Sequence, residues 1–167
     1  MDSIFKGKIW KLGDDIDTDI IVPTEYLALP TVEDMKKFAF FPLRRELPGL
    51  IQKGDIIVGG KNFGCGSSRE QAVGVLTALG VSCVIAKSFA RIFYRNAFNN
   101  GLLLLESGDM PDICEEGDTV TVDLTRSKIS ARGNEYGIAA IPGELMEILN
   151  AGGLAPYMRR LNAGHNN

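Results

Sequence analysis

Between residues 54 and 106 the chain alternates short apolar runs with longer helical patterns, and that order restricts the fold more than any other feature. "GDIIVGG" (54–60), "SCVIA" (82–86) and "LLLLE" (102–106) are continuous apolar runs, the pattern of strands buried on both faces. Between the first two, Ala72, Val75, Leu76 and Leu79 recur at helical spacing over 68–79, and Gly80 follows as a stop. Gly74 inside that stretch weakens it. Between the second and third, "SFARIFYRNAFNNG" (88–101) reads as a helix that also ends in glycine. A strand–helix–strand–helix–strand order favours a parallel sheet with right-handed crossovers and helices on its faces.

The flanks add a different element type. "IFKGKIWKL" (4–12) alternates as a first strand, and the polar "GDDIDTD" (13–19) after it reads as a loop. Thr31 precedes a short amphipathic stretch, acidic early and basic late, as a helix start prefers. "DTVTVDL" (118–124) and "KISA" (128–131) pair as a hairpin, and "PGELMEILNAGG" (142–153) is a helix with proline in its first turn and glycines at its end. The expectation is an α/β fold with a mixed sheet and flanking helices, one domain spanning 1–167, and a flexible tail over 162–167.

Charge and residue counts exclude several functions. The net charge is −3 with no run of like charges, so no electrostatic footprint for nucleic acid or an anionic membrane is present. No apolar run approaches the roughly 18 residues needed to span a bilayer, and the first ten residues lack a signal-peptide pattern; the expected location is the cytoplasm. Cys65, Cys83 and Cys114 are too few and too widely spaced for a disulfide framework, a zinc site or an iron–sulfur ligand set. The single histidine, His165, lies in the polar tail, so a Ser-His-Asp triad within this chain is not expected.

What remains is "GGKNFGCGSSRE" (59–70), where a strand hands over to a helix. Main-chain N–H groups and the positive end of a helix dipole point outward at such a junction and attract anions. Arg69 adds a planar fork of donors suited to a carboxylate, and Ser67 and Ser68 add directional hydroxyls. Known glycine-rich signatures fail here. Lys61 is followed by Asn62 rather than Ser or Thr, Arg69 stands where a dinucleotide fingerprint needs its third glycine, and neither serine is flanked as a nucleophile elbow requires. Ser67 with Glu70 also fits a capping box, a purely structural device, but a cap does not need glycines on its approach. Cys65 near a helix start is a conceivable nucleophile, yet no base accompanies it and a small packed residue is the expectation. Asp14, Asp15, Asp17 and Asp19 lack the rest of a calcium loop and read as capping and solvated groups. Arg91 and Arg95 stand one helical turn apart and are candidates to hold an anion, with a solvated face expected for Arg95.

At "GCGSSRE" and "AKSFARIFYRN", with "DTDIIVP" near the start and "MEILNAGGLAPY" near the end, the chain resembles the aconitase superfamily. The resemblance is to the small subunits of isopropylmalate-dehydratase and homoaconitase-like hydro-lyases, and it covers nearly the whole chain. It implies a swivelling β/β/α domain that closes over a separate large subunit carrying a [4Fe-4S] cluster, with no metal held by this chain. By similarity Ser67 is the catalytic base, Arg69 binds a substrate carboxylate, Ser68 contacts substrate, and Asp19 is a site residue. It also marks "YLALP" (26–30) as the substrate-selecting loop. In tricarboxylate-using relatives this region supplies an arginine, whereas Leu27, Ala28 and Leu29 offer only apolar surface. An unpaired carboxylate buried there would cost several kcal/mol, while an alkyl group would gain roughly 0.8 kcal/mol per CH₂. The implied reaction is interconversion of 2- and 3-isopropylmalate, as in leucine biosynthesis. Dehydration of 2,3-dimethylmalate or citramalate, or a homoaconitase activity, is the alternative within the class. A noncatalytic anion-binding module is the alternative outside it.

Overall fold

The computed structural model describes residues 1–164. Seven strands form one mixed sheet in the order β4-β3-β2-β1-β5-β6-β7. β1 (Ile4–Lys11) runs parallel to β2 (Ile56–Val58), which is followed by parallel β3 (Cys83–Ala86) and β4 (Leu103–Glu106). On its other edge β1 pairs antiparallel with β5 (Thr119–Asp123), from Ile4↔Asp123 to Lys8↔Thr119. β6 (Lys128–Ala131) and β7 (Asn134–Gly137) continue that antiparallel half. The burial patterns follow the pairing. β2 and β3 are buried at every residue, because helices cover both faces of a parallel sheet, whereas β5 and β6 alternate between buried and partly open positions.

Among the described residues four single-turn α-helices, two 3-10 turns (Thr24–Tyr26 and Lys36–Phe38) and four longer helices surround the sheet. α1 (Thr18–Ile21), α2 (Val32–Met35), α3 (Leu47–Leu50) and α6 (Met110–Ile113) are single turns. α4 (Glu70–Ala78), α5 (Arg91–Asn99), α7 (Gly143–Asn150) and α8 (Leu154–Gly164) are longer. Thr31 caps α2 by accepting a hydrogen bond from the Asp34 N–H, as its position foretold. Ala72, Val73, Val75 and Leu76 of α4 are fully buried in the core. Gly74 faces α2, where an added Cβ would stand 3.0 Å from Val32 Cγ1, so this glycine reflects close helix packing.

Several expectations need correction. "GDDIDTD" is not all loop, since Thr18 and Asp19 begin α1. The helix expected from 68 starts at Glu70, and the one expected from 88 starts at Arg91, because Phe63 and Phe89 pair in an isolated parallel bridge that keeps the latter segment extended. α8 extends to Gly164, into the tail expected to be flexible, and His165 and the rest of that tail lie outside the described residues. β7 and α8 had no counterpart in the sequence reading. Among the described residues no helix is long and apolar enough to cross a membrane.

Candidate active site

The loop between β2 and α4 is laid against the acidic turn that leads into α1. Gly64 N–H donates to the Ile16 carbonyl at 2.7 Å, and Thr18 N–H donates to the Cys65 carbonyl at 2.9 Å. The Thr18 hydroxyl donates to the Ser67 carbonyl at 2.8 Å, and Thr18 itself is only 2% exposed. Two glycines are required by this arrangement. Gly64 (φ +81°) leaves no room for a Cβ beneath the Phe93 ring, and a Cβ on Gly66 (φ +89°) would stand 2.9 Å from the Asp17 carboxylate.

Held this way, the loop turns its serines outward. Ser67 and Ser68 are exposed, and their hydroxyls make no hydrogen bond among the described residues. The capping box does not form: Arg69, extended at φ −128° and ψ 110°, is the N-cap of α4, and no side chain caps it. Ser67 therefore sits two residues too early, because its carbonyl is fixed to Thr18. The main-chain N–H groups of Glu70 and Gln71 likewise have no partner among the described residues. Open donors at a helix start create a positive local potential.

Arg69 folds back beside the serines. Its guanidinium pairs with the Asp19 carboxylate, donates to the Val22 carbonyl at 3.2 Å, and donates to Thr24 Oγ1 at 3.1 Å. α1 positions Asp19, with Asp17 as its cap accepting from the Asp19 N–H at 2.6 Å. Thr18, Gly66, Ser67, Ser68, Arg69 and Arg91 are among the residues that line a cavity of about 220 Å³ at the carboxyl ends of β2 and β3. A broader depression of about 920 Å³ lies at the other ends of those strands, around Lys53, Gly80 and Val81. Its Lys36 is already bound to Glu33 and to the Ala78 carbonyl. In open α/β sheets ligands favour the carboxyl ends of strands.

Of the residues singled out from sequence, Ser67, Ser68 and Arg69 line the cavity and Asp19 binds Arg69. Leu27, Ala28 and Leu29 do not line it. Leu27 and Leu29 pack partly into the core and Ala28 is exposed. The loop follows Val22 and Thr24, on which Arg69 is anchored. Tyr26 is fixed by stacking on Phe38 with ring centroids 4.0 Å apart. Thr18 and Thr24 escaped the sequence reading; the "DTD" motif pointed to the aspartate and not to its neighbour. Arg91 lines the cavity and Arg95 does not.

The acidic stretch has structural duties. Asp14 accepts from the Lys61 N–H at 2.7 Å, and Asp15 accepts from Asn62 Nδ2 at 3.1 Å. Burial, with Asp17 and Asp15 nearby, raises the Cys65 thiol pKa, which opposes any nucleophilic role. Cys83 and Cys114 are buried on separate elements, and among the described residues no group of three or more His, Cys, Asp or Glu stands together as a metal site. These cysteines do not fit an iron–sulfur cluster.

Comparison with known proteins agrees with this architecture. The Aconitase C-terminal domain family matches residues 48–109, the span from before β2 to beyond β4. The 3-isopropylmalate dehydratase small subunit of Lachnospira eligens is 64% identical, over 97% of this chain and 98% of that protein. The isopropylmalate/citramalate isomerase small subunit of Methanocaldococcus jannaschii is 47% identical, over 96% of each. A crystal structure of 3-isopropylmalate dehydratase (LeuD) from the same archaeon superposes with a TM-score of 0.92 at 40% identity, covering 98% of this chain and 99% of that one. Its mixed α/β sheet and its near full-length relatives establish that the chain belongs to the aconitase superfamily, in the family of 3-isopropylmalate dehydratase small subunits.

Proposed function

We propose that this chain is the small subunit of a two-subunit hydro-lyase that interconverts 2- and 3-isopropylmalate by dehydration and rehydration. The observation that carries the reading is an exposed Ser67 sharing a cavity with Arg69 and Ser68, in a chain whose relatives bear that enzyme's name along their full length. Dehydration of a hydroxy-diacid removes a weakly acidic proton next to a carboxylate while hydroxide departs. A [4Fe-4S] cluster on the partner large subunit would supply the Lewis acid for the departing hydroxide. This chain's part is the proton and the carboxylate. Ser67 Oγ takes the proton as an alkoxide, which the open N–H groups at the start of α4 and the nearby arginine stabilise against a very high pKa in water. Arg69 receives a substrate carboxylate, Ser68 contributes a hydroxyl, and Asp19 holds the Arg69 guanidinium in place. The loop 26–30 adds no cation that could receive a third carboxylate.

The test is reconstitution with the large subunit, followed by turnover on isopropylmalate, citramalate, dimethylmalate, citrate and homocitrate. Isopropylmalate is expected to be turned over most efficiently, and efficient citrate or homocitrate turnover would overturn the loop argument. Citramalate is the second reading, favoured by the 47%-identical relative named for both substrates. Ser67→Ala is expected to cost at least roughly a hundredfold in kcat with folding intact. Activity within about tenfold of wild type would remove Ser67 from the base role and leave an anion-binding module as the better reading.

A further inference from the structure

One polar side chain on the cavity wall has no task in the fold. Asn96 lies in the interior of α5, half-buried, and lines the same cavity of about 220 Å³ as Ser67 and Ser68. Among the described residues its carboxamide makes no hydrogen bond, although its main-chain carbonyl accepts from the Asn100 N–H at 3.0 Å and from Asn100 Nδ2 at 2.8 Å. Asparagine is a poor helix former because its amide competes for main-chain partners, and a half-enclosed amide without a partner costs free energy. Asn100 has a local reason to be there, since it closes α5 as its C-cap. Asn96 has none, and its side chain does not bond back to the preceding turn.

Its place is set by the residue one turn earlier. Phe93 packs so closely beneath Gly64 that a Cβ on the glycine would stand 2.1 Å from Phe93 Cγ. The Phe63 and Phe93 rings also meet at 60°, with centroids 5.7 Å apart. α5 is thereby clamped to the start of the loop that carries Ser67. Asn96, three residues after Phe93, shares that helix face. This wall of the cavity belongs to the small subunit whatever a partner adds on the open side.

We infer that Asn96 is a further catalytic residue, whose Nδ2 donates a hydrogen bond to Ser67 Oγ in its alkoxide form. The inference rests on the reading of Ser67 as the base. The proton passes from the substrate carbon to Ser67 Oγ, and Asn96 keeps its own protons throughout. An uncharged amide stabilises an oxyanion without needing a counter-ion, and such bonds commonly tighten only when substrate is bound.

The test uses the complex reconstituted at saturating large subunit. Asn96→Ala and Asn96→Asp are measured on isopropylmalate, with folding checked by circular dichroism and urea denaturation. Asn96→Ala is expected to lower kcat roughly a hundredfold, the usual effect of removing one donor to an oxyanion, with KM within about threefold. Asn96→Asp keeps the shape but puts a negative charge where the donor stood, and is expected to be no more active than the alanine variant. In a Ser67→Ala background, Asn96→Ala should cost less than about threefold more, because the oxygen it serves is gone. A kcat for Asn96→Ala within about threefold of wild type would overturn the assignment. So would an Asn96→Asp enzyme well above the alanine variant, which assigns a packing role, or full multiplication of the two losses in the double variant. A defect that disappears on adding more large subunit would also overturn it, by assigning Asn96 to subunit docking. Ser67→Ala separates the two claims: retained kcat there sinks the reading of the site, whereas a dead Ser67→Ala beside an unaffected Asn96→Ala sinks only the role of Asn96.

Discussion

Cys65 stands two residues before Ser67, and its surroundings oppose ionisation. Burial comes first and the Asp17 and Asp15 carboxylates second, all raising the thiol above its ordinary value. Cys83, fully enclosed in β3, is pushed up to about 12. Since an acid whose folded pKa is raised holds its proton more tightly in the native state, this contribution is intact below the unfolded thiol's pKa of about 8.5. It is lost as pH rises from there towards the folded value. At pH 7.5 iodoacetamide is therefore expected to alkylate Cys65 more slowly in the native chain than in the unfolded chain, and Cys83 more slowly still, as peptide-resolved mass spectrometry would read. Native Cys65 reacting faster than an unfolded thiol would contradict the environment described. Residue types alone revealed Ser67, Ser68 and Arg69 as a set, because few other purposes require two hydroxyls and a guanidinium behind four glycines. The capping box at Ser67 and Glu70 was equally legible and did not form. A contact 49 residues away in sequence, from Thr18 to the Ser67 carbonyl, decided the register, and local pattern carries no trace of such a contact.

At the scale of elements, the four-residue α1 is the template for the loop that carries Ser67. Thr18 holds both ends of the segment Cys65–Ser67, one through its N–H and the other through its hydroxyl. Thr18→Val preserves shape and removes the hydroxyl, leaving the Ser67 carbonyl without its donor. It is expected to lower kcat about tenfold with a stability loss on the order of 1 kcal/mol, while Thr18→Ser stays within about threefold of wild type. Equal activity of the valine and wild-type enzymes would show that the loop holds its shape without this bond. Elements with strong periodicity, such as α4, α5 and β2 to β4, were readable because burial on one or both faces writes itself into the apolar pattern. α1 was not, since a single turn has no period to detect, and its first residues look like any acidic loop. β7, "NEYG", is four mostly exposed residues whose strand character comes from pairing with β6. α8 includes Pro156 and has no fully buried residue, so its sequence lacks the stripe that marks a packed helix.

For the molecule as a whole, β1 is the seam. It is parallel to β2 on one side and antiparallel to β5 on the other, and it carries Trp10, whose indole N–H donates to the buried Asp55 carboxylate at 2.7 Å. Gly7 lies where an added Cβ would meet the Gly54 carbonyl oxygen at 2.5 Å and Ile56 Cγ1 at 2.7 Å. Gly7→Ala is expected to cost about 1–3 kcal/mol in urea denaturation, the range for overpacking. With the seam shared by both halves, tryptophan fluorescence and far-ultraviolet circular dichroism should report one coincident transition, as for a single cooperative domain. Two separated transitions would mean that the halves fold independently. The parallel half was foreseeable from its strand–helix alternation, but the joint was not, because β1 and β5 pair across more than a hundred residues and hydrophobic pattern does not name a strand's neighbour. One border of this sheet also has a consequence. The terminal strand β7 is only four residues long, and its Glu135 is clasped by Arg126 and Lys128 from the adjoining turn and strand. A stray strand approaching that border would have to strip water from three charged groups to gain a few main-chain bonds, so the sheet resists growth by edge-to-edge stacking without any covering element.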